Sequence, residues 1–412
     1  MLKKIIKNDF LIGLFVKAIS IITGFVSTVF LNRFLGVTVK GEYSYYINLI
    51  NIWVVILNFG LSTIYSMAKR NKMENVKSKF YNLAYIEFFI ITLVFIIYYF
   101  LNRNNNISIW VCILLSTSNI FNQLNIFTLI DDIRYRQKIN IFISLYNAIA
   151  TFVVFLLFES NVDIAYEILF IKDFIAIIAF ILKSREKVKI SIIDKEFLLF
   201  VLKNGFPAMI ASLLLTFNYK VDSIFIMNML GSYDNGIYSV AIALTEYCWL
   251  IADSFKEVLQ NKTAKDDSLN AINFSISINM LIAVAYIITF NLLGKFLIKL
   301  LYGNEYVGAY DVTNVLLLGT ISMIIFKLTA PLYLARGKQK FYLFVLFLSA
   351  LANILLNTFL IPLYKLYGAA IASVVSYNIC GLIFYFKYIR DYKLKWYNPM
   401  IAIFKYLRRV LI

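Results

Sequence analysis

The stretch Leu35-Gly36-Val37-Thr38-Val39-Lys40-Gly41-Glu42-Tyr43-Ser44 decides the fold, because the chain repeats its spacing at residues 230–239. The second copy, Leu230-Gly231-Ser232-Tyr233-Asp234-Asn235-Gly236-Ile237-Tyr238-Ser239, keeps the leucine, both glycines, the tyrosine and the serine in register. Each copy follows the first long apolar segment of its half of the chain. Only 15 glycines occur in the whole chain, so two matching pairs carry weight. The repeat predicts a duplicated membrane protein, and such proteins with many membrane helices are mostly transporters.

The composition also indicates a membrane protein. The 412 residues are 61% hydrophobic and 15% charged, with a mean hydropathy of +0.77. A soluble protein of this size does not need so much apolar surface. Three lysines within Met1–Asn8 precede the first apolar segment, but no small-residue cleavage site follows Leu31. We therefore expect the first segment to be retained as a helix and not removed as a signal peptide.

Twelve segments are long and apolar enough to cross a bilayer core, which takes roughly 20 residues per helix. They are Phe10–Leu31, Tyr43–Met67, Asn82–Leu101, Ser108–Ile130, Ile139–Phe158, Ile164–Leu182, Phe206–Leu230, Ile237–Ala252, Ser275–Leu301, Val312–Ala335, Phe341–Ile361 and Leu366–Ile389. Pro207 is predicted to open the seventh helix, where a proline loses no hydrogen bond. Pro331 is predicted to bend the tenth helix.

The basic residues set the orientation. With the amino terminus in the cytoplasm, most Lys and Arg residues fall in inner loops such as 69–72 and 183–187, and the outer side holds only Arg33, Lys40, Arg103 and Lys365. Positive residues favour the cytoplasmic side, so both termini are predicted there. This topology accounts for the net charge of +17 without a nucleic-acid partner. Six helices per half give both halves the same orientation, which makes the repeat parallel.

The sequence thus predicts an all-α polytopic membrane protein with twelve transmembrane helices in two parallel-repeat six-helix bundles. The predicted bundles are residues 1–190 and 191–412, joined by the polar loop Lys183–Glu196. Three cysteines lie far apart in apolar segments and are expected to be unpaired. The chain has no histidine, which excludes histidine proton relays and histidine-bound metals, and no cofactor or metal is expected.

Polar residues form stripes along the first two predicted helices. An ionised group at mid-membrane costs at least ~2.5–3.5 kcal/mol, so it normally faces a wet cavity or a partner. The first stripe is Gly13, Lys17, Ser20, Gly24 and Ser27, and the second is Ser44, Asn48, Asn51, Asn58, Ser62 and Tyr65. Two adjacent stripes would line a hydrated groove with Lys17 in it. Alternatively, the small residues let helices pack closely and the asparagines bond across the interface.

Further charges lie in the second half. Lys220 and Asp222 in the seventh helix are two positions apart, so they are not expected to pair with each other. Glu246 lies near mid-depth in the eighth helix, where a carboxylate can exchange a proton or coordinate sodium. Asp253 shares its face but lies closer to the inner surface, where water can solvate it. Lys327 lies in the inner half of the tenth helix.

The chemistry of these residues suits a particular kind of cargo. Lysines that face a cavity act as point charges for phosphate, and asparagine, serine and aromatic faces suit sugar hydroxyls and rings. A phosphate-linked saccharide combines both, although a polar lumen also suits drugs or small solutes. The roles of Glu87, Glu167, Lys172 and Asp173 stay open, since ion pairs between helices explain them as well as function does.

Several motifs resemble those of the bacterial polysaccharide transporter family, the oligosaccharide-unit flippases of the multidrug/oligosaccharidyl-lipid/polysaccharide exporter superfamily. The motifs, in chain order, are Phe34-Leu35-Gly36 to Gly41-Glu42-Tyr43, Asn58-Phe59-Gly60-Leu61, Gly205-Phe206-Pro207, Tyr219-Lys220-Val221-Asp222, Met229-Leu230-Gly231 to Gly236-Ile237-Tyr238-Ser239, and Leu301-Tyr302-Gly303-Asn304-Glu305-Tyr306. Each is loose alone, but their order along a twelve-helix chain makes the resemblance fairly specific.

This resemblance implies a function. Proteins of this family move an undecaprenyl-diphosphate-linked oligosaccharide from the inner to the outer leaflet by alternating access, before a polysaccharide polymerase builds capsule, exopolysaccharide or O-antigen. It implies that Lys17, Lys220 and Asp222 are charged lumen residues. It also implies coupling to protons or sodium ions, with Glu246 as the candidate carboxylate. On residue chemistry, Asn48, Asn51, Asn58 and Lys327 join the expected substrate-binding set, and Asp253 joins Glu246.

Two other functions stay open at this point. One is a cation-coupled drug or metabolite antiporter of the same superfamily. The other is a membrane enzyme such as a polysaccharide polymerase, which the short outer loops disfavour. Asp131-Asp132 is a paired-carboxylate motif at the inner face, and it lacks the domain that a sugar-nucleotide site requires. We interpret it as a solvated loop and expect no enzymatic activity.

Overall fold

The computed structural model describes residues 9–101, 108–184, 193–263 and 269–403, and every regular element in these ranges is helical. The α-helices are α1 (Asp9–Leu57), α2 (Leu61–Arg70), α3 (Val76–Leu101), α4 (Ile109–Asp131), α5 (Ile133–Leu157), α6 (Val162–Ser184), α7 (Lys195–Met229), α8 (Ser232–Tyr247), α9 (Leu250–Thr263), α10 (Leu269–Leu301), α11 (Ala309–Leu317), α12 (Thr320–Ala335) and α13 (Gln339–Asp391). A short 3₁₀ helix, Asn304–Tyr306, precedes α11.

The helices of the described residues supply the twelve predicted spans. Two long helices each contain two spans, because α1 turns at Gly36 and α13 turns at Lys365, where the backbone is not helical. Three spans, including the second span of α1, are made of two helical pieces each, and the pieces are separated by short breaks: the second half of α1 with α2, α8 with α9, and α11 with α12. By length and hydropathy alone, seven of the described helices qualify as membrane-spanning, or eight when the bent pair α11–α12 counts as one. The all-α polytopic membrane fold is thus confirmed.

The seventh span differs from its prediction. α7 begins at Lys195, so Pro207 lies inside the helix and not at its first turn. The side chain of Asp194 accepts a hydrogen bond of 2.8 Å from the Phe197 amide and caps the true start. Hydropathy missed this first part because it carries charged residues, although Phe197 is buried on its inner face.

The tenth span also differs. Its two pieces, α11 and α12, are bent by 50° at Leu318-Gly319, whereas Pro331 lies within the continuous helix α12. A Cβ added at Gly319 would lie 3.0 Å from the Tyr377 ring and 3.2 Å from the Val374 Cα. The break therefore falls at a close contact with α13, and not at the proline.

The chain divides into two compact units. Unit 1 comprises Met1–Val39 and Tyr46–Leu213, and unit 2 comprises Lys40–Tyr45 and Leu214–Ile412. In unit 1, α4 packs on α3 and α6. Its core is an aromatic cluster in which Tyr65, Phe80 and Phe127 have ring centroids 4.5 to 5.8 Å apart. In unit 2, α12 packs on α9, α10 and α13. The predicted bundle boundary at residue 190 stays a prediction.

Large apolar side chains cover the outside of several helices. On α3, Phe89 is 70% exposed and Phe100 is 66% exposed, and the helix has a hydropathy of 2.2 with only 11% of its span buried. Exposed apolar surface on this scale is unfavourable in water and favourable in lipid. These faces are therefore the lipid-facing surface of a multi-pass membrane protein.

Candidate functional site

The repeated motif adopts the same backbone conformation in both copies. Gly36 has φ and ψ of 68° and 174°, and Gly231 has 98° and −178°. This region of conformational space is open essentially only to glycine. The first glycine of each copy therefore makes a similar sharp turn at the end of a membrane helix in each half of the chain.

The second glycine of the motif makes a close helix contact within unit 2. A Cβ added at Gly41 would lie 1.7 Å from the Ser232 carbonyl oxygen and 2.8 Å from the Gly236 nitrogen. Asn235 fixes this contact, because its Nδ2 donates a 2.7 Å hydrogen bond to the Gly41 carbonyl oxygen and its Oδ1 accepts one of 2.7 Å from Ser223. The two copies of the motif therefore touch each other, and only glycine fits at position 41.

Asp222 is the most buried carboxylate among the predicted site residues, at 1% exposure. Its Oδ1 accepts a 2.6 Å hydrogen bond from Asn357 Nδ2, and its Oδ2 accepts one of 2.8 Å from the Tyr238 hydroxyl. The Ser373 hydroxyl also donates to Oδ2. Among the described residues no lysine or arginine pairs with this carboxylate. Its oxygens are instead surrounded by neutral donors, an arrangement that can hold a proton or a small cation in place of one of them.

Three of these partners were missed by the sequence reasoning. Asn357 and Ser373 lie on the two halves of α13, far from Asp222 in sequence, and no local spacing connects them with it. Tyr238 was quoted as part of the repeated motif but was given no role. A signal was available only for Asn357, because Asn353 and Asn357 form a polar pair at helical spacing in an otherwise apolar span.

Lys220, predicted to be a charged lumen residue, forms an ion pair with Glu246. Lys220 Nζ and Glu246 Oε1 are 3.4 Å apart, and the two side chains are 28% and 35% exposed. The predicted lack of an ion pair between Lys220 and Asp222 agrees with the different partners they have. Because this ion pair is long and partly open, a competing anion can reach the Lys220 ammonium group.

Lys327 forms a tighter and more buried ion pair with Asp253. Its Nζ lies 2.7 Å and 2.9 Å from the two Asp253 carboxylate oxygens. The ammonium group also lies 5.3 Å from the Trp249 ring and 5.6 Å from the Tyr219 ring, so aromatic faces cover it. The interpretation of Asp253 as simply solvated is wrong, because the carboxylate neutralises a lysine whose side chain is only 9% exposed.

The asparagines of the second helix have different surroundings. Asn51 is exposed and Asn48 is half-buried. Asn58 is buried, and its Nδ2 donates a 2.9 Å hydrogen bond to the Ser62 hydroxyl across the break between α1 and α2. Asn58 therefore stabilises this break. Lys17 lies in α1, but its side chain is outside the part of the chain that the structure describes.

The first helical stripe contacts α5 inside unit 1. Ser27 is 3% exposed and accepts a 2.7 Å hydrogen bond from Asn147 Nδ2. On α6, Lys172 Nζ lies 3.3 Å from Asp173 Oδ1, and the Ser118 hydroxyl donates a 2.8 Å hydrogen bond to Asp173 Oδ2. Lys172 and Asp173 are thus a neutral pair held in the core of unit 1.

The motif Asp131-Asp132 joins α4 to α5, and its interpretation as a solvated loop is wrong for Asp131, whereas the Asp132 side chain is 38% exposed. The Asp131 side chain is 11% exposed, forms ion pairs with Lys69 and Lys77, and accepts a 2.8 Å hydrogen bond from the Tyr65 hydroxyl. Asp132 accepts a 3.1 Å hydrogen bond from the Tyr135 amide at the start of α5. Both carboxylates join helix ends. Within the described residues, no three His, Cys, Asp or Glu side chains are grouped closely enough to hold a metal ion.

Twelve membrane helices in two units, each with buried polar side chains, define a polytopic membrane protein. The profile of a family described as polysaccharide biosynthesis protein matches residues 6–252, and that of lipid II flippase MurJ matches residues 235–412. The first match covers more than half of the chain. The chain therefore belongs to the polysaccharide biosynthesis protein family.

A curated relative points the same way. The capsular polysaccharide biosynthesis protein CapF of Staphylococcus aureus is 25% identical over 193 residues, which are 45% of this chain and 48% of that protein. The match thus spans about half the length of the relative.

Solved structures share the fold. The inward closed conformation of lipid II flippase MurJ matches with a TM-score of 0.70 and 18% identity, over 97% of this chain and 92% of that one. An inward-facing multidrug resistance transporter of the MATE family matches with a TM-score of 0.69 and 13% identity, over 93% and 98%. A transporter of the MOP superfamily from Pyrococcus furiosus matches with a TM-score of 0.66 and 13% identity, over 92% of each chain. At these identities the likeness concerns the fold.

Proposed function

We propose that this protein is a flippase. It moves undecaprenyl-diphosphate-linked oligosaccharide units from the cytoplasmic to the outer leaflet of a bacterial plasma membrane by alternating access, for capsule, exopolysaccharide or O-antigen assembly. The observation that carries the proposal is membership of the polysaccharide biosynthesis family. A fold shared with a lipid II flippase and a capsular relative support it. On this proposal the protein is a transporter and not an enzyme.

The ion pairs refine where a diphosphate would bind. The Lys327 ammonium group contacts both carboxylate oxygens of Asp253, whereas the Lys220 ammonium group has one long contact with a carboxylate oxygen of Glu246. A diphosphate carries more charge than a single carboxylate and competes better for the loosely held ammonium group. Lys220 is therefore the proposed phosphate-binding lysine of unit 2, and Lys17 keeps this role as a prediction for unit 1.

Ion coupling is proposed on the carboxylates of unit 2. Glu246 and Asp253 each hold a lysine, so protonation or sodium binding there must compete with that lysine. Asp222 has only neutral hydrogen-bond partners among the described residues, and it can take up a proton or sodium ion without breaking an ion pair. We add Asp222 to Glu246 and Asp253 as a coupling candidate and remove it from the substrate-binding set.

The decisive experiment uses a strain from which the gene is deleted. Unpolymerised lipid-linked repeat units should accumulate in the inner leaflet, protected from a glycosidase added to spheroplasts, and the wild-type gene should restore their exposure. Normal sidedness of these intermediates in the deletion strain contradicts the proposal. Lys17→Ala and Lys220→Gln should lower surface polysaccharide at unchanged protein level, and Lys183→Gln, a lysine paired with Asp132 at a helix end, is the matched control.

An antiporter for drugs or metabolites is the second candidate, because MATE transporters share the fold with nearly the same TM-score. The same strain decides between the two functions. A changed drug susceptibility with normal polysaccharide intermediates favours the antiporter. Fusions of alkaline phosphatase and of a fluorescent protein to each terminus test the proposed cytoplasmic location of both ends.

A further inference from the structure

A cavity of about 240 Å³ lies within unit 1 between α1, α5 and α6. Ser20 and Gly24 line it from α1, and Lys172 lines it from α6. A Cβ added at Gly24 would meet no atom within 4 Å, which independently indicates open space beside this residue. The volume is below the roughly 300–1,000 Å³ of pockets for drug-sized molecules, so the cavity suits a smaller ligand.

The wall from α5 is polar. Asn140, Ser144 and Asn147 lie on it together with the apolar Ile143. The amide of Asn147 is oriented by its 2.7 Å hydrogen bond to Ser27, and Asn140 Oδ1 is buried without a hydrogen-bond partner among the described residues. Amides and hydroxyls offer donors and acceptors side by side, which is the pattern that neighbouring sugar hydroxyls or an N-acetyl group require.

The described charges at the cavity are balanced. Among the described side chains, Lys172 is the only charged one in the lining, and its ammonium group is neutralised by Asp173 at 3.3 Å. Asp173 is only 2% exposed and is fixed by Ser118, so it stays with the lysine. A neutralised lysine still donates hydrogen bonds but no longer attracts an anion strongly. The described lining therefore favours a neutral polar ligand over a phosphate.

We infer that this cavity binds one neutral sugar ring of the transported glycan, with the amides and hydroxyls of α1 and α5 on its hydroxyl or N-acetyl groups and Ile143 against its C–H face. The inference rests on the proposed function. It adds a binding site for a sugar ring in unit 1 to the phosphate-binding lysines proposed above, of which Lys17 lies on the same stripe of α1 as Ser20 and Gly24. On the predicted topology the cavity lies in the cytoplasmic half to the middle of the membrane, on the side from which the cargo enters.

The test uses the full-length protein in phosphatidylcholine nanodiscs, with methyl glycosides of a neutral hexose, an N-acetylhexosamine and a hexuronic acid, and inorganic diphosphate as probes. Binding is measured by saturation-transfer NMR. A neutral or N-acetylated glycoside should bind best. Gly24→Phe places a ring in the open space and should weaken this binding by at least about tenfold, whereas Gly24→Ala should change it by less than about threefold.

A second variant tests the role of charge. Lys172→Gln/Asp173→Asn keeps the size and hydrogen-bonding capacity of the pair and removes both charges together, so no buried charge is left unpaired. The neutral glycoside should keep its affinity within about threefold. If the wild type prefers the hexuronide or diphosphate, and this binding is lost in the double variant, the inference is overturned in favour of an anion site. Unchanged glycoside binding in Gly24→Phe, or no glycoside binding by the wild type, also overturns it.

Two further arms separate the sources of the signal. Nanodiscs that contain phosphatidylglycerol test whether a lipid head group supplies the hydroxyls, and displacement of the glycoside by this lipid at equal concentration contradicts a glycan site. The sidedness assay of the deletion strain is run with the same variants. If the wild-type protein binds the glycoside but deletion of its gene leaves the sidedness of lipid-linked units unchanged, the proposed function fails and the sugar site remains. If deletion of the gene changes the sidedness as proposed but Gly24→Phe alters neither glycoside binding nor sidedness, the proposed function stands and the sugar site is overturned.

Discussion

The ion pair between Lys327 and Asp253 allows a sharp prediction about stability. Asp253→Asn removes the carboxylate charge and leaves a lysine that is only 9% exposed without its counter-ion. Lys327→Met removes the cation instead and leaves Asp253, which is 27% exposed and can be hydrated. We therefore expect the aspartate variant to be less stable than the lysine variant, although both break the same ion pair.

The expected size follows from the surroundings of the lysine. Removal of one partner of a buried ion pair costs about 3–5 kcal/mol. The Trp249 and Tyr219 rings, at 5.3 Å and 5.6 Å, continue to stabilise the ammonium group by about 1 kcal/mol each. The net cost of Asp253→Asn is then about 2 kcal/mol. This lowers Tm by roughly 2–3 °C, since the entropy of unfolding is about 2.1 cal/mol/K per residue and the chain has 412 residues. For Lys327→Met we expect less than about half of this loss.

The assay is thermal unfolding of the purified protein in nanodiscs of one lipid composition, for both single variants and for Asp253→Asn/Lys327→Met. The double variant carries no buried charge and should be more stable than Asp253→Asn alone, with a coupling energy of about 1–2 kcal/mol. Single changes that add without coupling would refute the reasoning. A larger loss for Lys327→Met than for Asp253→Asn would do so as well.

Three further predictions concern other contacts. Gly41→Ala should lower Tm and surface polysaccharide, because its methyl group would lie 1.7 Å from the Ser232 carbonyl oxygen, whereas Gly24→Ala should leave Tm unchanged. Asp222→Ala should cost about 1–3 kcal/mol in thermal unfolding, because three buried donors lose their acceptor, and Asn357→Ala, which removes one of these donors, should cost less. The hydrogen bond from Lys79 and then that from the Phe197 amide hold the pKa of Asp194 below its ordinary value of 3.8. A lowered folded-state pKa stabilises the fold above the unfolded-state pKa, and this contribution is lost as pH falls through the folded value. In thermal unfolding from roughly pH 6 to 3, Asp194→Asn should therefore show a weaker loss of stability with acid than the wild type.

The number and positions of the spans could be predicted from the sequence because each span must cover its own backbone polar groups with an apolar surface. Hydropathy failed where helices extend beyond the apolar layer, as at Lys195, and where a helix breaks inside it, as at Cys248-Trp249. The proline at 331 misled because neighbouring helices keep the helix in place around it, whereas Gly319, with no mark in the hydropathy, lies at the bend.

The candidate site was harder to predict because its partners lie on different helices. The sequence correctly marked the charged residues inside the spans. It could not show that Lys220 meets Glu246, or that Lys327 meets Asp253, since these pairs are 26 and 74 residues apart. Local spacing shows only which residues share a face of one helix. The partner on the facing helix is set by packing, which the pattern of a single helix does not contain.

The ion pairs change how the lysines inside the spans must be understood. From the sequence alone, lysines that face a cavity are expected to act as point charges for phosphate. Lys172, Lys220 and Lys327 each have a carboxylate within 3.4 Å, as the cost of an unpaired charge in a low-dielectric interior requires. If a charged lipid-linked sugar binds at one of these three lysines, its phosphate must therefore take the place of a carboxylate. Lys220 with Glu246 is the longest and most exposed of the three pairs, so this exchange costs least there.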